Sequence, residues 1–227
     1  MLHMQEAADR IIDHYERHAR AWDSDRRMAA WNDKPWHDRF GALLRRAASV
    51  LDLGCGSGSP VAQHLVERGF RVTGVDSSPT LISLCRQRLP DQQWLVEDMR
   101  SLRLARRFDG VLAWDSLFHL RPDDQRRMFD VFARHAAASA VLMFNGGPGH
   151  REAVGAYRGD PLYHASLSPD EYQVLLSGIG FAVIAHVVED WQTGGGRTVW
   201  LAQADQARLP LERREIQSQS QNVVGTR

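Results

Sequence analysis

The chain has 227 residues, with 28 basic and 28 acidic side chains and a formal net charge of zero. That size suits one α/β domain with a small appendage, and 43% hydrophobic residues suffice for a large core. The balanced charge and the lack of a long basic run exclude an electrostatic footprint for nucleic acid. Two cysteines make no disulfide framework, and no apolar stretch approaches the roughly 18 residues of a membrane span. The polar N-terminus does not read as a secretory signal, so a cytoplasmic protein without membrane or nucleic-acid partner is expected.

Residues 1–45 read as helical, because apolar and aromatic side chains recur every three or four positions among charges. Pro35 interrupts the pattern, so at least two helical pieces are expected. Strands and helices then alternate. "ASVLDL" (48–53), "FRVTGVD" (70–76), "QQWLVED" (92–98), "FDGVLAWD" (108–115) and "SAVLMFN" (139–145) read as strands. "SPVAQHLVERG" (59–69), "SPTLISLCRQRLP" (78–90), "PDDQRRMFDVFARHA" (122–136) and "SPDEYQVLLSGIG" (168–180) read as helices, three of them opened by Ser-Pro. "FAVIAHVVED" (181–190) and "RTVWLAQ" (197–203) are strands around a "GGG" turn at 194–196, close enough for an antiparallel hairpin. The tail over 206–227, with its Gln/Ser tract, is expected to be disordered. Residues 46–205 then form a doubly wound, mostly parallel sheet with helices on both faces.

In such a sheet, ligands bind beyond the carboxyl ends of the strands, where strand order reverses. Gly54, Gly56 and Gly58 follow the first strand, with Asp52 just before them and Cys55 within the turn. Glycines there let a ligand lie against the backbone, and the next helix offers free amides. Asp76 ends the second strand, beside Ser77, where a carboxylate can accept both hydroxyls of a ribose. Asp98 and Met99 end the third strand, and Asp115 and Ser116 end the fourth. Four successive strands therefore deliver polar groups to one rim.

The ordered set "VLDLGCGSG", "VTGVD", "EDM" and "FDGVLAWDSLFHL" resembles the class I S-adenosylmethionine-dependent methyltransferases over roughly residues 48–203. The resemblance implies a Rossmann-like, seven-stranded sheet of order 3-2-1-4-5-7-6 with strand 7 antiparallel. It implies S-adenosylmethionine as cofactor and S-adenosylhomocysteine as product. Gly54, Gly56 and Gly58 would line the methionine portion and ribose, Asp76 would bind the ribose hydroxyls, and Asp98 and Met99 would hold the adenine. Asp115 and Ser116 would face the methionine end or the substrate. A nicotinamide dinucleotide fits less well, since Ser59 stands where its G-x-G-x-x-G fingerprint needs the third glycine.

The N-terminal helices are expected to form a lid, with Tyr15 and Trp22 facing the cofactor and Trp31 and Trp36 serving as packing. Candidate catalytic side chains are His119, just past the fourth strand, Asn145 at the end of the fifth, His150 in "GGPGH" and His164 in "PLYHASLSP". No histidine–cysteine spacing implies a metal. The Asn/Asp-Pro-Pro-aromatic motif of amino-group methylation on nucleic acid or protein is absent from "WDSLFHL", as is a Pro-Cys nucleophile. The expected substrate is therefore a small molecule with an oxygen or nitrogen nucleophile, walled by the N-terminal helices and the 146–167 insertion, in a monomer or homodimer. Attack on another cofactor carbon, releasing methylthioadenosine, would leave the same motifs, as would a non-catalytic cofactor-binding module.

Overall fold

The computed structural model describes residues 2–205. Three helices lead: α1 (Leu2–Asp9), α2 (Ile11–Met28) and α3 (Lys34–Ala42). Pro35 opens α3, where its missing N–H costs nothing. The alternating part follows as β1 (Ser49–Leu53), α4 (Val61–Glu67), β2 (Arg71–Asp76), α5 (Pro79–Arg88), β3 (Gln93–Val96), β4 (Phe108–Ala113), α6 (Pro122–His135) and β5 (Ala136–Gly146). Then come β6 (Arg151–Tyr157), β7 (Asp160–Ser166), α7 (Pro169–Gly178), β8 (Phe181–Asp190) and β9 (Arg197–Ala204).

The main sheet has seven strands in the order β3-β2-β1-β4-β5-β9-β8. The first five are parallel, and β9 runs antiparallel to both β5 and β8. This is the expected order, with the last two strands renumbered by an inserted hairpin. Alternate strand residues feed two cores. Leu51, Val111, Leu142 and Trp200 pack under Phe129 and Phe132 of α6 and Tyr172 of α7. On the opposite face Val50, Val72, Leu112 and Met143 pack against Trp36 and Phe40 of α3, Leu65 of α4 and Ile82 of α5. Trp36 is completely buried, as expected of a packing residue.

The 146–167 insertion contains an antiparallel hairpin, β6–β7, that the residue pattern did not reveal. It turns at Arg158 and Gly159, both at positive φ (51° and 87°), between paired Tyr157 and Asp160. Most of β6 is exposed, so it lacks the apolar alternation that marks a half-buried strand. Ala7 and Ala8 of α1 pack on Tyr163 and Ala165 of β7 and tie the leading helices to this hairpin. The tail at 206–227 lies outside the described residues.

Candidate active site

The turn after β1 is built around backbone that only glycine tolerates well. Gly54 has φ +75°, and a Cβ there would lie 2.3 Å from the Ser116 side chain. Gly56 has φ +57°, and a Cβ there would enter the Trp22 ring at 2.7 Å. The Gly54 and Cys55 amides both donate to the Val75 carbonyl, which fastens the turn to β2. Asp76, at the end of β2, accepts from the Gly56 N–H (2.9 Å) through one oxygen and the Ser78 N–H (2.9 Å) through the other.

Helix α2 covers this rim. Glu16 accepts from the Ser78 hydroxyl and from the Thr80 N–H (3.2 Å) and hydroxyl (2.6 Å), at the N-terminus of α5. Asp23 takes a two-pronged bond from Arg88 at 2.6 and 2.7 Å. On the hairpin side, Asp25 accepts from the Tyr157 hydroxyl at 2.6 Å and from Arg158 at 3.0 Å.

Between α2 and the strand ends lies a cavity of about 960 Å³, counting its open mouth. Tyr15, Trp22, Asp52, Gly54, Cys55, Gly56, Asp76, Ser77, Asp98, Met99, Asp115, Ser116 and His119 all line it. Gly58 does not. It closes the turn by donating to the Cys55 carbonyl and packs against Cys85 and Trp94. Arg26 and Glu97 also line the cavity and were not anticipated. Arg26 sits one turn beyond Trp22 on the same helix, so helical spacing from Tyr15 and Trp22 would have pointed to it.

Burial sets the acid–base state of the cavity wall. Asp52 is 2% exposed and no donor among the described residues bonds its carboxyl. Burial, with the nearby Asp76 charge, pushes it up to about 7. Burial also lifts Asp76 to about 6 against the pull of its backbone donors. Burial pushes the Cys55 thiol well above its ordinary value, which suits a packed residue rather than a nucleophile.

At the other end, Tyr15 Oη lies 2.6 Å from His119 Nε2, and His119 Nδ1 lies 2.9 Å from the Tyr163 carbonyl. A carbonyl only accepts, so Nδ1 carries the proton and Nε2 accepts from the tyrosine. Burial lowers His119 to about 3 and raises Tyr15, so both are neutral. Asp115, at φ +50°, is held on all sides. Asn145 donates to its carboxylate at 2.6 Å and accepts its N–H at 2.8 Å, while Arg197 grips both oxygens at 2.7 Å.

Of the four catalytic candidates, only His119 reaches the cavity. Asn145 is fully buried as a holder of Asp115. His164 stacks on Phe118 and stands 4.8 Å from His119, behind the wall. His150 is exposed on the loop before β6. Asp98 spends its oxygens on Arg100, with bonds of 2.6 to 3.0 Å.

Comparison with known proteins agrees with this geometry. Residues 50–138 match a family described as a methyltransferase domain. The chain is 40% identical over 129 residues to a trans-aconitate 2-methyltransferase of Azoarcus, covering 51% of this chain and 50% of that one. Over residues 50–138 the chain is thus similar to methyltransferase domains. A putative methyltransferase of Bacillus subtilis shares 32% identity over 119 residues, 48% of this chain and 47% of its own. The chain spans about half the length of the curated relatives it matches. Among solved structures, the 1,6-didemethyltoxoflavin N1-methyltransferase of Burkholderia thailandensis, with bound S-adenosylhomocysteine, superposes with a TM-score of 0.68. That match covers 89% of this chain and 91% of the other at 19% identity, a likeness of fold. Among the described residues no helix is long and apolar enough to cross a membrane.

Proposed function

We propose that this chain transfers the methyl group of S-adenosylmethionine to an oxygen or nitrogen of a small molecule and releases S-adenosylhomocysteine. The observation that carries this reading is Asp52, a buried carboxyl that lines the cavity and has no hydrogen-bond partner among the described residues. Such a group calls for a cationic donor from a ligand. The amino group of S-adenosylmethionine supplies one, and a nicotinamide dinucleotide does not. Asp76, already oriented by two backbone amides, would accept the ribose hydroxyls. Glu97 and Met99 would flank the adenine beside Asp98, whose oxygens Arg100 partly occupies.

When bound, the cofactor supplies an activated methyl group on a sulfonium. The chain's own task is then to align the nucleophile and exclude water. Tyr15 donates its hydroxyl hydrogen bond to His119 and keeps its proton, so its oxygen has lone pairs free to accept from an incoming hydroxyl or amine. His119, lowered to about 3, is a hydrogen-bond acceptor at neutral pH rather than a proton acceptor. It positions Tyr15, and this replaces the idea of a histidine base. A smaller recess lined by His14, Tyr15, Trp22, Arg26 and Tyr157 shares Tyr15, Trp22 and Arg26 with the cavity, which supports reading it as the substrate side.

Calorimetric titration with S-adenosylmethionine, S-adenosylhomocysteine and NADH tests the cofactor. Binding of the first two alone supports the reading, and binding of NADH alone overturns it. Incubation with a metabolite extract and mass analysis then tests the chemistry. S-Adenosylhomocysteine with a methylated product is expected; methylthioadenosine would mean attack on another carbon.

A further inference from the structure

Helix α2 carries a histidine pair with no role in cofactor binding. His14 and His18 are one turn apart, with ring centroids 4.9 Å from each other. Asp160, the first residue of β7, faces them, its Oδ2 2.8 Å from His18 Nε2. One ligand atom from each of the three lies within 4.8 Å of the other two. His14 is 6% exposed, and its Nε2 has no hydrogen-bond partner. A buried ring nitrogen without a partner is costly and calls for an explanation.

We propose that His14, His18 and Asp160 bind a divalent transition-metal ion of the zinc type, with water completing its shell. Two histidines at i and i+4 present their nitrogens on one helix face, which suits a tetrahedral ion. Imidazole and a single carboxylate favour zinc over magnesium or calcium, which prefer all-oxygen shells. The competing partner is Arg17, whose Nη1 sits 2.8 Å from the same Asp160 oxygen. Its side chain is 64% exposed and can swing away. The Tyr157 ring, 5.6 Å from His18 and 6.0 Å from His14, walls the cluster. The ion would join α2 to the β6–β7 hairpin, the two elements that bound the proposed substrate recess. Because α2 also carries Tyr15 and Trp22, the ion would hold the lid in place.

The test uses metal-free, untagged full-length protein titrated with Zn²⁺ and with Co²⁺, without cofactor. One ion per chain is expected, with a raised thermal midpoint and visible Co²⁺ ligand-field bands that lack a thiolate charge-transfer band. Asp160→Asn, in a half-exposed turn, and His14→Ala should each weaken binding at least about tenfold. Arg17→Ala removes the competing cation and should tighten it. The proposal is overturned if these ligand variants bind the ion as the wild type does, or if a thiolate band places the ion on Cys55 or Cys85. Since no cofactor or substrate is present, failure here would leave the methyltransferase reading untouched.

Discussion

The Tyr15 hydroxyl donates to His119 Nε2 at 2.6 Å, joining two residues 104 positions apart across the mouth of the cavity. The bond ties α2 to the end of the fourth strand, and on the proposed reading it makes the helix part of the reacting end. The Tyr163 carbonyl on His119 Nδ1 fixes the imidazole, and the imidazole fixes the tyrosine.

Tyr15→Phe should therefore lower turnover by about tenfold to a hundredfold, through lost alignment of the nucleophile. Cofactor affinity should be unchanged by calorimetry. His119→Ala should lower turnover similarly, and His119→Gln, which keeps an acceptor, should recover part of it. Because burial holds His119 near 3, its titration should leave no inflection in the wild-type rate profile over roughly pH 5–8. An inflection there that disappears in His119→Gln would restore the histidine as a base.

Asp52 opposes two demands. Its raised pKa, about 7, means the folded cofactor-free protein holds a proton that the unfolded chain loses near 3.8. Stability of the cofactor-free protein therefore falls as pH rises from the unfolded value through about 7. Asp52→Asn should stabilise that form above neutrality by up to about 2–4 kcal/mol, measured by urea unfolding. The same change should weaken S-adenosylmethionine binding, and wild-type affinity should fall as pH drops below 7, where the carboxyl protonates. Unchanged affinity in Asp52→Asn would remove the amino-group assignment.

The seven main strands were legible because each is a short apolar run bounded by glycine, proline or an acid, and the cavity lining was legible because many of its residues end those strands. Long-range partners were not. Nothing near Asp115 in the chain announces Arg197, 82 residues later, which grips it with both prongs. The β6–β7 hairpin hid for a different reason, since an exposed strand needs no apolar alternation. Asn145 and His164 were correctly placed near the rim, but the side chains turn to support neighbours instead of reaching the cavity. Such choices depend on packing, which local sequence does not encode.

Glu16 fastens α2 to the N-terminus of α5, where free amides and the helix dipole favour an anion. It also bonds Ser78, whose N–H orients Asp76. Glu16→Ala should cost about 1 kcal/mol of stability and weaken cofactor binding measurably. Trypsin cleavage within α2 should quicken, and added S-adenosylhomocysteine should slow it. If cleavage in Glu16→Ala matches the wild type, α2 is held by its other contacts and Glu16 is no latch.

Arg197 makes the most demanding contact of the site. Its guanidinium donates to both oxygens of Asp115 at 2.7 Å and to the Gly194 carbonyl at 3.1 Å, and lies 3.7 Å from buried Asp33. A lysine offers one point of charge and no planar fork, so it cannot serve both oxygens. Asp115 is about a quarter exposed, which tempers the cost of losing its partner. Arg197→Ala should destabilise the fold by about 2–3 kcal/mol, and Arg197→Lys should recover less than half of that in urea midpoint. Both should also weaken cofactor binding, because this network orients the Asp115 carboxylate on the cavity wall. Should Arg197→Lys behave as the wild type in both measurements, charge alone positions Asp115 and the fork geometry is incidental.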